Sequence, residues 1–283
     1  SRFLPPPETW PQRTYTLPIF QTYPEQLNAV ELLLDRWVRE GQGHRIAVLF
    51  EDQRITYAEL AERVDRCAIG LAELGLSEGD RVLLRVGNVP EALVANFALL
   101  KLGAVVVPSS PLFSRAELAH VANDAEIVAA VVAAPLLEEF ERARGEMRTL
   151  RHVVVVGGEA ETMRQRGYLP FHDVLARGRG SFAAVRRARR DVAVLLYTSG
   201  TTGRPKGTAH LMEELLVVPD SFGQYGWRVR SDDVVGGPAP ISLAAGYSTV
   251  ASIPFRFGAA VSLIPRFDPA RMFQTIQDHR ITV

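Results

Sequence analysis

The sequence predicts an α/β fold with parallel or mixed sheets flanked by helices. Short runs dominated by aliphatic residues recur along the chain, at 81–86, 104–107, 127–132 and 152–156. Segments that begin at helix-capping residues alternate with these runs, and those that begin at Thr56 and Asn88 stop at Gly75 and Gly103. Parallel strands that helices cover on both faces are uniformly apolar rather than alternating, so the two observations together favour this class.

The first 27 residues are expected to form a proline-rich extended arm. Six of the 18 prolines lie among the first 24 residues, and proline fixes φ and lacks an amide donor. Directly after the arm, the stretch Asn28-Ala-Val-Glu31 is predicted to be a capping box that opens a helix. A strand over 46–50 and another around Ile55 follow, joined by a polar turn.

Further helices are predicted from their first residues. Thr56–Glu59 and Ser114–Glu117 are expected to be capping boxes, and Asn88 is expected to cap the helix that ends at Gly103. The only cysteine, Cys67, lies on the apolar stripe of the helix after Thr56. It is therefore predicted to be a core residue, with a nucleophile as the less favoured alternative, and it excludes any internal disulfide framework.

Charge and hydropathy exclude two classes of partner. Lys plus Arg number 32 and Asp plus Glu number 32, so the net charge is zero at pH 7. A general nucleic-acid binder needs a basic surplus to neutralise phosphates. The longest apolar run, 127–137, is shorter than the roughly 18 residues that a membrane span needs. We therefore expect neither nucleic acid nor membrane as a partner, and the single cysteine is compatible with a cytoplasmic location.

A basic stretch, Arg186–Arg190, precedes the return of apolar periodicity at Val192. It is either a patch for polyphosphate or nucleic acid, or a solvated connector between two lobes, and the zero net charge favours the connector. The chain is accordingly divided into a first α/β lobe over 28–190 and a second lobe over 191–283.

The second lobe begins with a strand that leads into a loop rich in glycine and hydroxyl groups. The loop reads Thr198-Ser-Gly-Thr-Thr-Gly-Arg-Pro-Lys-Gly207. Glycine lets the backbone approach a ligand closely, amides and hydroxyls donate to phosphate oxygens, and Lys206 adds a cation. Open α/β sheets bind ligands where such strands end. The sequence therefore predicts a polyphosphate site, although the lysine spacing differs from that of a Walker loop.

The string from Tyr197 to Gly207 closely resembles the phosphate-binding signature of the adenylate-forming superfamily. This superfamily includes acyl- and aryl-CoA synthetases and the adenylation domains of peptide synthetases. The segments Ile55–Leu60 and Leu100–Pro108 resemble two further motifs of the superfamily, in the same order. The proline-rich start and the segment through Glu59 resemble most the benzoate and 2-aminobenzoate-CoA ligase branch.

The resemblance implies a reaction in two steps. A small carboxylic acid attacks the α-phosphate of Mg-ATP to give an acyl-adenylate and pyrophosphate, and coenzyme A then displaces AMP to give a thioester. Lys206 and Thr201 are the expected catalytic residues, and the Thr201 hydroxyl also helps to position Mg²⁺. No metal site built from protein side chains alone is expected. The role of cradling the ATP phosphates is carried over to Thr198, Ser199, Gly200, Thr201, Thr202, Gly203 and Lys206.

The segment from Pro238 to Tyr247 resembles the stretch that lines the acyl pocket of the superfamily, with core packing as the alternative. In many relatives a histidine or another aromatic residue stands at the position of Leu243. Met212 likewise stands where relatives often have the second histidine of a pair. His210 is expected to be a polar residue at a helix start, with a functional role as the less favoured alternative. The expected pocket residues are Ser242, Leu243, Ala244, Gly246 and Tyr247.

Later motifs of the superfamily do not occur before Val283. The aromatic-Gly-x-Thr-Glu loop and the mobile lobe with its catalytic lysine are among them. The resemblance therefore implies the incomplete N-terminal domain of an adenylate-forming acid–thiol ligase, not expected to be fully active alone and compatible with a homodimer. An amino-acid-activating adenylation domain and a non-catalytic nucleotide-binding scaffold stay open as alternatives.

Overall fold

The computed structural model describes residues 6–10, 14–198 and 203–283, which form a seven-stranded sheet, a four-stranded sheet and a two-stranded ribbon. The strands are β1 (Gln26–Leu27), β2 (Ile46–Phe50), β3 (Gln53–Thr56), β4 (Arg81–Arg85), β5 (Val105–Pro108), β6 (Ala129–Ala133), β7 (His152–Val156), β8 (Leu169–Pro170), β9 (Arg187–Ala188), β10 (Val192–Thr198), β11 (Lys206–Leu211), β12 (Val234–Gly237) and β13 (Ala260–Leu263). The α-helices are α1 (Arg36–Arg39), α2 (Tyr57–Glu73), α3 (Pro90–Lys101), α4 (Arg115–Asp124), α5 (Leu137–Arg144), α6 (Ala160–Gln165), α7 (Phe171–Arg177), α8 (Glu214–Val218), α9 (Ala244–Ala251), α10 (Ile253–Phe257) and α11 (Pro269–His279). Short 3₁₀ turns cover Pro7–Thr9, Pro18–Thr22 and Ala134–Leu136, and π-helical segments cover Glu31–Asp35 and Pro219–Trp227. Among these helices, none combines the length and the apolar character that crossing a bilayer requires.

The seven-stranded sheet has the order β11-β10-β5-β4-β6-β7-β8, and its neighbouring strands are parallel except for the antiparallel pair β10–β11. Alternate residues of one strand enter two different cores, because side chains along a strand point to opposite faces. Leu84 packs with Phe97 of α3 on one face, whereas Leu83 packs with Leu118 of α4 and Phe140 of α5 on the other. The predicted α/β class with parallel or mixed sheets flanked by helices is confirmed.

The four-stranded sheet has the order β12-β13-β2-β3, with only β2–β3 antiparallel. Its strands β2 and β3 come from the first 60 residues, whereas β12 and β13 follow residue 230. The seven-stranded sheet also combines strands from both sides of residue 190. The lobe boundary predicted at that position therefore does not separate the sheets, and as a domain boundary it stays a prediction.

The proline-rich arm is only partly extended in the residues that the structure describes. It contains two short 3₁₀ turns, and β1 pairs with β9 in antiparallel fashion. The Phe20 and Tyr23 side chains are buried. The Tyr23 hydroxyl donates to the buried Asp220 carboxylate at 2.6 Å, and burial together with this bond raises the pKa of Tyr23. The arm is thus packed into the core rather than laid loosely over it.

Of the predicted helix starts, two are confirmed. Thr56–Glu59 and Ser114–Glu117 both form complete capping boxes. At Asn28 one half of the predicted box forms: its side-chain oxygen accepts the backbone amide of Val30 at 3.1 Å, as an N-cap does, while the Glu31 carboxylate pairs with Arg186. The side-chain nitrogen of Asn28 also donates to the carbonyl oxygens of Leu100, at 2.7 Å, and Val185, at 2.8 Å. Asn28 therefore caps its own helix and satisfies buried carbonyl groups elsewhere in the fold.

The arginines of the basic stretch form ion pairs with the rest of the protein. Arg186 pairs with Glu31 at 2.9 Å, and Arg187 pairs with Glu78 at 3.2 Å. Arg189 reaches the buried Glu213 carboxylate at 3.4 Å. The side chains of Arg186 and Arg190 are nevertheless exposed, so the solvated connector stays a prediction.

Cys67 lies in the core, as predicted. It belongs to the buried stripe of α2 and has no exposed surface. Burial raises the pKa of its thiol, so the reactive thiolate is disfavoured. The structure therefore favours the packing role over the nucleophile.

Candidate functional site

The predicted phosphate-binding loop connects two adjacent antiparallel strands. β10 ends at Thr198 and β11 begins at Lys206, and these two residues lie directly opposite each other. Both are exposed. Directly opposed residues of an antiparallel pair share a face of the sheet, so the hydroxyl and the ammonium group project from the same face. Ser199, Gly200, Thr201 and Thr202 lie outside the described residues.

Two glycines of the loop meet different requirements. Gly203 has a φ of +155° and open space around its α-carbon. Gly207 lies opposite Tyr197, and a Cβ there would approach the ring carbon Cζ to 2.9 Å. The strand pair can therefore close at this end only because residue 207 has no side chain.

Helix α4 contacts the hairpin from the other face of the sheet. The Tyr197 hydroxyl donates to the Asp124 carboxylate at 2.6 Å, and burial followed by this bond raises the pKa of Tyr197. His120 Nε2 lies 2.9 Å from the Pro205 carbonyl oxygen. Because a carbonyl oxygen only accepts, the imidazole is the donor. Sequence reasoning missed both α4 residues, since neither forms part of a recognisable motif.

His210 lies in β11, opposite Val194, and not at a helix start as predicted. Its Nδ1 is 3.5 Å from the Glu214 carboxylate, which also accepts the backbone amide of Leu211 at 3.0 Å. β11 is an edge strand of the seven-stranded sheet. It lacks the continuous apolar run that marks a buried strand, which explains why the sequence did not predict it.

A small cavity of about 120 Å³ lies between the β10–β11 pair and α9. Val194 and Leu196 of β10 form part of its wall, and they share a face with Thr198 because strand side chains alternate. The cavity and the exposed Thr198–Lys206 pair therefore lie on one continuous face of the hairpin. The lining residues are Val194, Leu196, His210, Glu214, Leu215, Val218, Ala244, Tyr247, Ser248 and Ser252.

Of the five predicted pocket residues, Ala244 and Tyr247 line this cavity. Ser242 is buried, and its hydroxyl has no hydrogen-bond partner among the described residues. Leu243 is half exposed at the start of α9. A Cβ at Gly246 would collide with the Pro240 carbonyl oxygen, so this glycine permits close packing. A pocket role for these three residues stays a prediction.

Two buried asparagines fix the segment that leads into α9. The Asn88 amide donates to the Ala239 carbonyl at 3.0 Å and accepts the Ile241 backbone amide at 2.9 Å. The cap predicted for Asn88 is therefore wrong, since α3 begins after Val89 without a side-chain cap. Asn96 accepts the Tyr247 hydroxyl at 2.8 Å, and burial raises the pKa of that tyrosine.

No cluster of three or more His, Cys, Asp or Glu side chains able to hold a metal ion occurs in the three ranges that the structure describes. Near the loop, α4 brings the Asp124 carboxylate, which accepts the Tyr197 hydroxyl on the face away from Thr198. Two exposed cationic side chains, Arg204 and Lys206, lie at the loop itself. This end of the hairpin therefore offers charge complementarity to an anion.

Comparisons with known proteins indicate the family to which the chain belongs. A family model described as AMP-binding enzyme matches residues 34–283. Benzoate–CoA ligase of Thauera aromatica is 31% identical over 259 residues, covering 91% of this chain and 48% of the relative. Acetyl-coenzyme A synthetase of Deinococcus radiodurans is 31% identical over 279 residues, covering 91% and 43%. The crystal structure of the anthranilate CoA ligase AuaEII in complex with anthranoyl-AMP has a TM-score of 0.87 and 26% identity, covering 93% of this chain and 50% of that one. The chain thus spans about half the length of the relatives it matches.

Proposed function

The chain belongs to the AMP-binding enzyme family, and on that premise we propose that it carries the ATP-phosphate and acid sites of an acid–CoA ligase. The reaction converts a carboxylic acid to an acyl-adenylate with release of pyrophosphate, and then to a coenzyme A thioester with release of AMP. The observation that carries the proposal is the shared face of β10 and β11. A hydroxyl and an ammonium group stand at one end, and a cavity begins four residues away at His210.

The phosphate end of this face fits a polyanion. Transfer at the α-phosphate is mostly positioning plus neutralisation of charge on the phosphate oxygens. Lys206 brings an exposed ammonium group and Thr198 an exposed hydroxyl, and both donate to anionic oxygens. We extend the same role to Ser199, Gly200, Thr201, Thr202 and Gly203, on the strength of the motif.

Mg²⁺ accompanying ATP would neutralise charge at the phosphate oxygens. On the strength of the motif, we assign its protein contact to the Thr201 hydroxyl. Oxygen ligands from phosphate and hydroxyl groups suit this ion.

The cavity supports an aromatic acid with a single ring. Its volume is about 120 Å³, close to the roughly 150 Å³ apolar cavity that is known to bind benzene. Val194, Leu196 and Tyr247 provide apolar walls. A single ring fills such a space, whereas a long acyl chain exceeds it. The benzoate and anthranilate ligases among the relatives support the same substrate class, and coenzyme A is the thiol acceptor that their names indicate.

Carboxylate-dependent ATP–pyrophosphate exchange by the full-length gene product tests the proposal. Benzoate, 2-aminobenzoate and a medium-chain fatty acid would be compared, and we expect exchange with an aromatic acid. Lys206→Ala should lower kcat/KM for ATP by about 10- to 100-fold, since a hydrogen bond to a charged group contributes about 1.5–3 kcal/mol.

Arg151→Ala is the matched control, because it removes one exposed positive charge that lies outside the hairpin. It should leave exchange unchanged. Normal exchange in the Lys206 variant would contradict the phosphate role, and a preference for the fatty acid would contradict the substrate class.

A further inference from the structure

Helix α4 forms hydrogen bonds with the hairpin on both sides of the phosphate loop. His120 and Asp124 are four residues apart and therefore lie on one face of the helix. His120 donates to the carbonyl of Pro205, the residue before Lys206, at 2.9 Å. Asp124 accepts the hydroxyl of Tyr197, the residue before Thr198, at 2.6 Å. One helical face thus fastens both strands at the end that bears the loop.

We propose that His120 and Asp124 are positioning residues that set the register of the phosphate loop. The inference rests on the proposed function, since it takes a polyphosphate as the ligand of the loop. Neither residue contacts the phosphates. They act through Pro205 and Tyr197, and so hold the Thr198 hydroxyl and the Lys206 ammonium group at a fixed separation.

The backbone chemistry of the hairpin explains why side chains are needed there. Pro205 has no amide hydrogen, so it cannot donate to the strand ladder. It is nevertheless buried, and its carbonyl oxygen finds a donor in His120. Tyr197 is only 5% exposed, and its hydroxyl would lose its acceptor without Asp124. Unsatisfied buried polar groups cost about 1–3 kcal/mol each.

The assignment to α4 also fits the division of the hairpin into two faces. The cavity and the Thr198–Lys206 pair lie on one face, and Tyr197 with Gly207 lies on the other. α4 packs on the second face and leaves the first accessible. Helix α4 can therefore position the hairpin from the face that bears Tyr197, while the face that bears Thr198 and Lys206 stays accessible to a ligand.

The test compares variants of the full-length gene product by calorimetric titration with Mg-ATP and by exchange kinetics. His120→Ala and Tyr197→Phe each remove one hydrogen bond, so each should weaken Mg-ATP binding by about 3- to 10-fold. The KM for ATP should rise by the same factor, while the KM for the carboxylate changes less than about twofold. His120→Gln keeps an N–H donor of comparable reach and should restore binding.

Asn123→Ala is the matched control on the same helix. Its side-chain amide donates to the Glu146 carbonyl at 2.9 Å and accepts the Arg148 backbone amide at 3.0 Å, so neither of its partners belongs to the hairpin. This variant should lower the unfolding temperature without weakening Mg-ATP binding. A purely structural role for α4 would make the Asn123 and His120 variants behave alike.

The outcomes are distinct. Failure of the wild-type protein to bind Mg-ATP would overturn the proposed function and, with it, this inference. Normal Mg-ATP binding by both His120→Ala and Tyr197→Phe would overturn the positioning role alone, and so would a failure of His120→Gln to restore it. If His120→Ala does not fold, Tyr197→Phe decides, because it removes a single oxygen atom.

Discussion

Replacing Gly207 with alanine tests how tightly the loop end of the hairpin is packed. The new Cβ would lie 2.9 Å from Cζ of Tyr197 and 3.2 Å from both Cε atoms. Non-bonded carbon atoms prefer about 3.5–4.0 Å, so the overlap is about 0.6 Å at the closest point. The ring cannot move away freely, because it is buried and bonded to Asp124 at 2.6 Å.

The strain must therefore be relieved by separating the two strands near Thr198 and Lys206. Inserting a methyl group into a packed site costs about 1–3 kcal/mol. For a chain of this size such a loss lowers the unfolding temperature by several degrees. The same displacement moves the Lys206 ammonium group relative to its ligand, so we expect the KM for ATP to rise with the KM for the acid unchanged.

Calorimetric unfolding and exchange kinetics measure the two effects. Gly145→Ala is the control, because a Cβ there meets nothing within 4 Å. The double variant Gly207→Ala with Tyr197→Leu removes the ring that the methyl group strikes, so its cost should be smaller than the two single costs added. Simple additivity, or a neutral Gly207→Ala variant, would refute the reasoning.

Two further predictions concern stability, with urea unfolding as the measurement. Lys101→Met leaves the carboxylates of Asp35 and Asp65, which lie 2.9 Å and 2.5 Å from the ammonium group, without their cation, so the unfolding free energy should fall by about 3–5 kcal/mol at pH 7. Burial already raises the pKa of Asp35. The loss of unfolding free energy should therefore be smallest below about pH 4, where this carboxyl is protonated, and should grow as pH rises through the folded-state pKa. A loss of unfolding free energy that does not depend on pH would contradict this. Ser114→Ala should cost about 1 kcal/mol. Hydrogen bonds from the backbone amide and, second, from the hydroxyl of Ser114 lower the pKa of Glu117, and the variant removes only the bond from the hydroxyl. The difference between wild type and variant should therefore be full above about pH 4.3 and shrink in part as pH falls through the lower folded-state value. A difference that grows as pH falls would contradict this.

The parts of the fold that the sequence predicts are those with local signals. The strands β4, β6 and β7 each contain a continuous apolar run, Val82–Leu84, Ala129–Ala133 and Val153–Val156, because both of their faces are covered. The capping boxes at Thr56 and Ser114 are also local, since each closes within four residues. Such features need no knowledge of the rest of the chain.

The errors arise where a residue serves a distant element. Asn88 stands at a segment start, as a cap does, yet its amide satisfies a backbone group 151 residues away. Asn28 caps its helix, but it also donates to a carbonyl oxygen 72 residues away. β11 is a strand because β10 offers it an edge, although its own residues are largely polar. No local pattern encodes these partners.

The candidate site divides in the same way. The loop chemistry around Lys206 is visible in the sequence because the ligand requires those residue types close together. The cavity, in contrast, is formed by β10, β11, α8 and α9. His120 and Asp124 lie 85 and 73 residues from their hairpin partners, so only the folded chain identifies them.

The interleaving of the two larger sheets has a consequence for synthesis on the ribosome. β2 pairs with β13 through Val48 and Val261. One edge of β2 therefore has no partner strand until the ribosome has added more than 200 further residues. At about 5–20 residues per second, that interval lasts roughly 10 to 40 s. Unpaired strand edges promote association with other chains. We therefore expect this edge of β2 to stay unpaired, and open to other chains, until residue 263 has been synthesised.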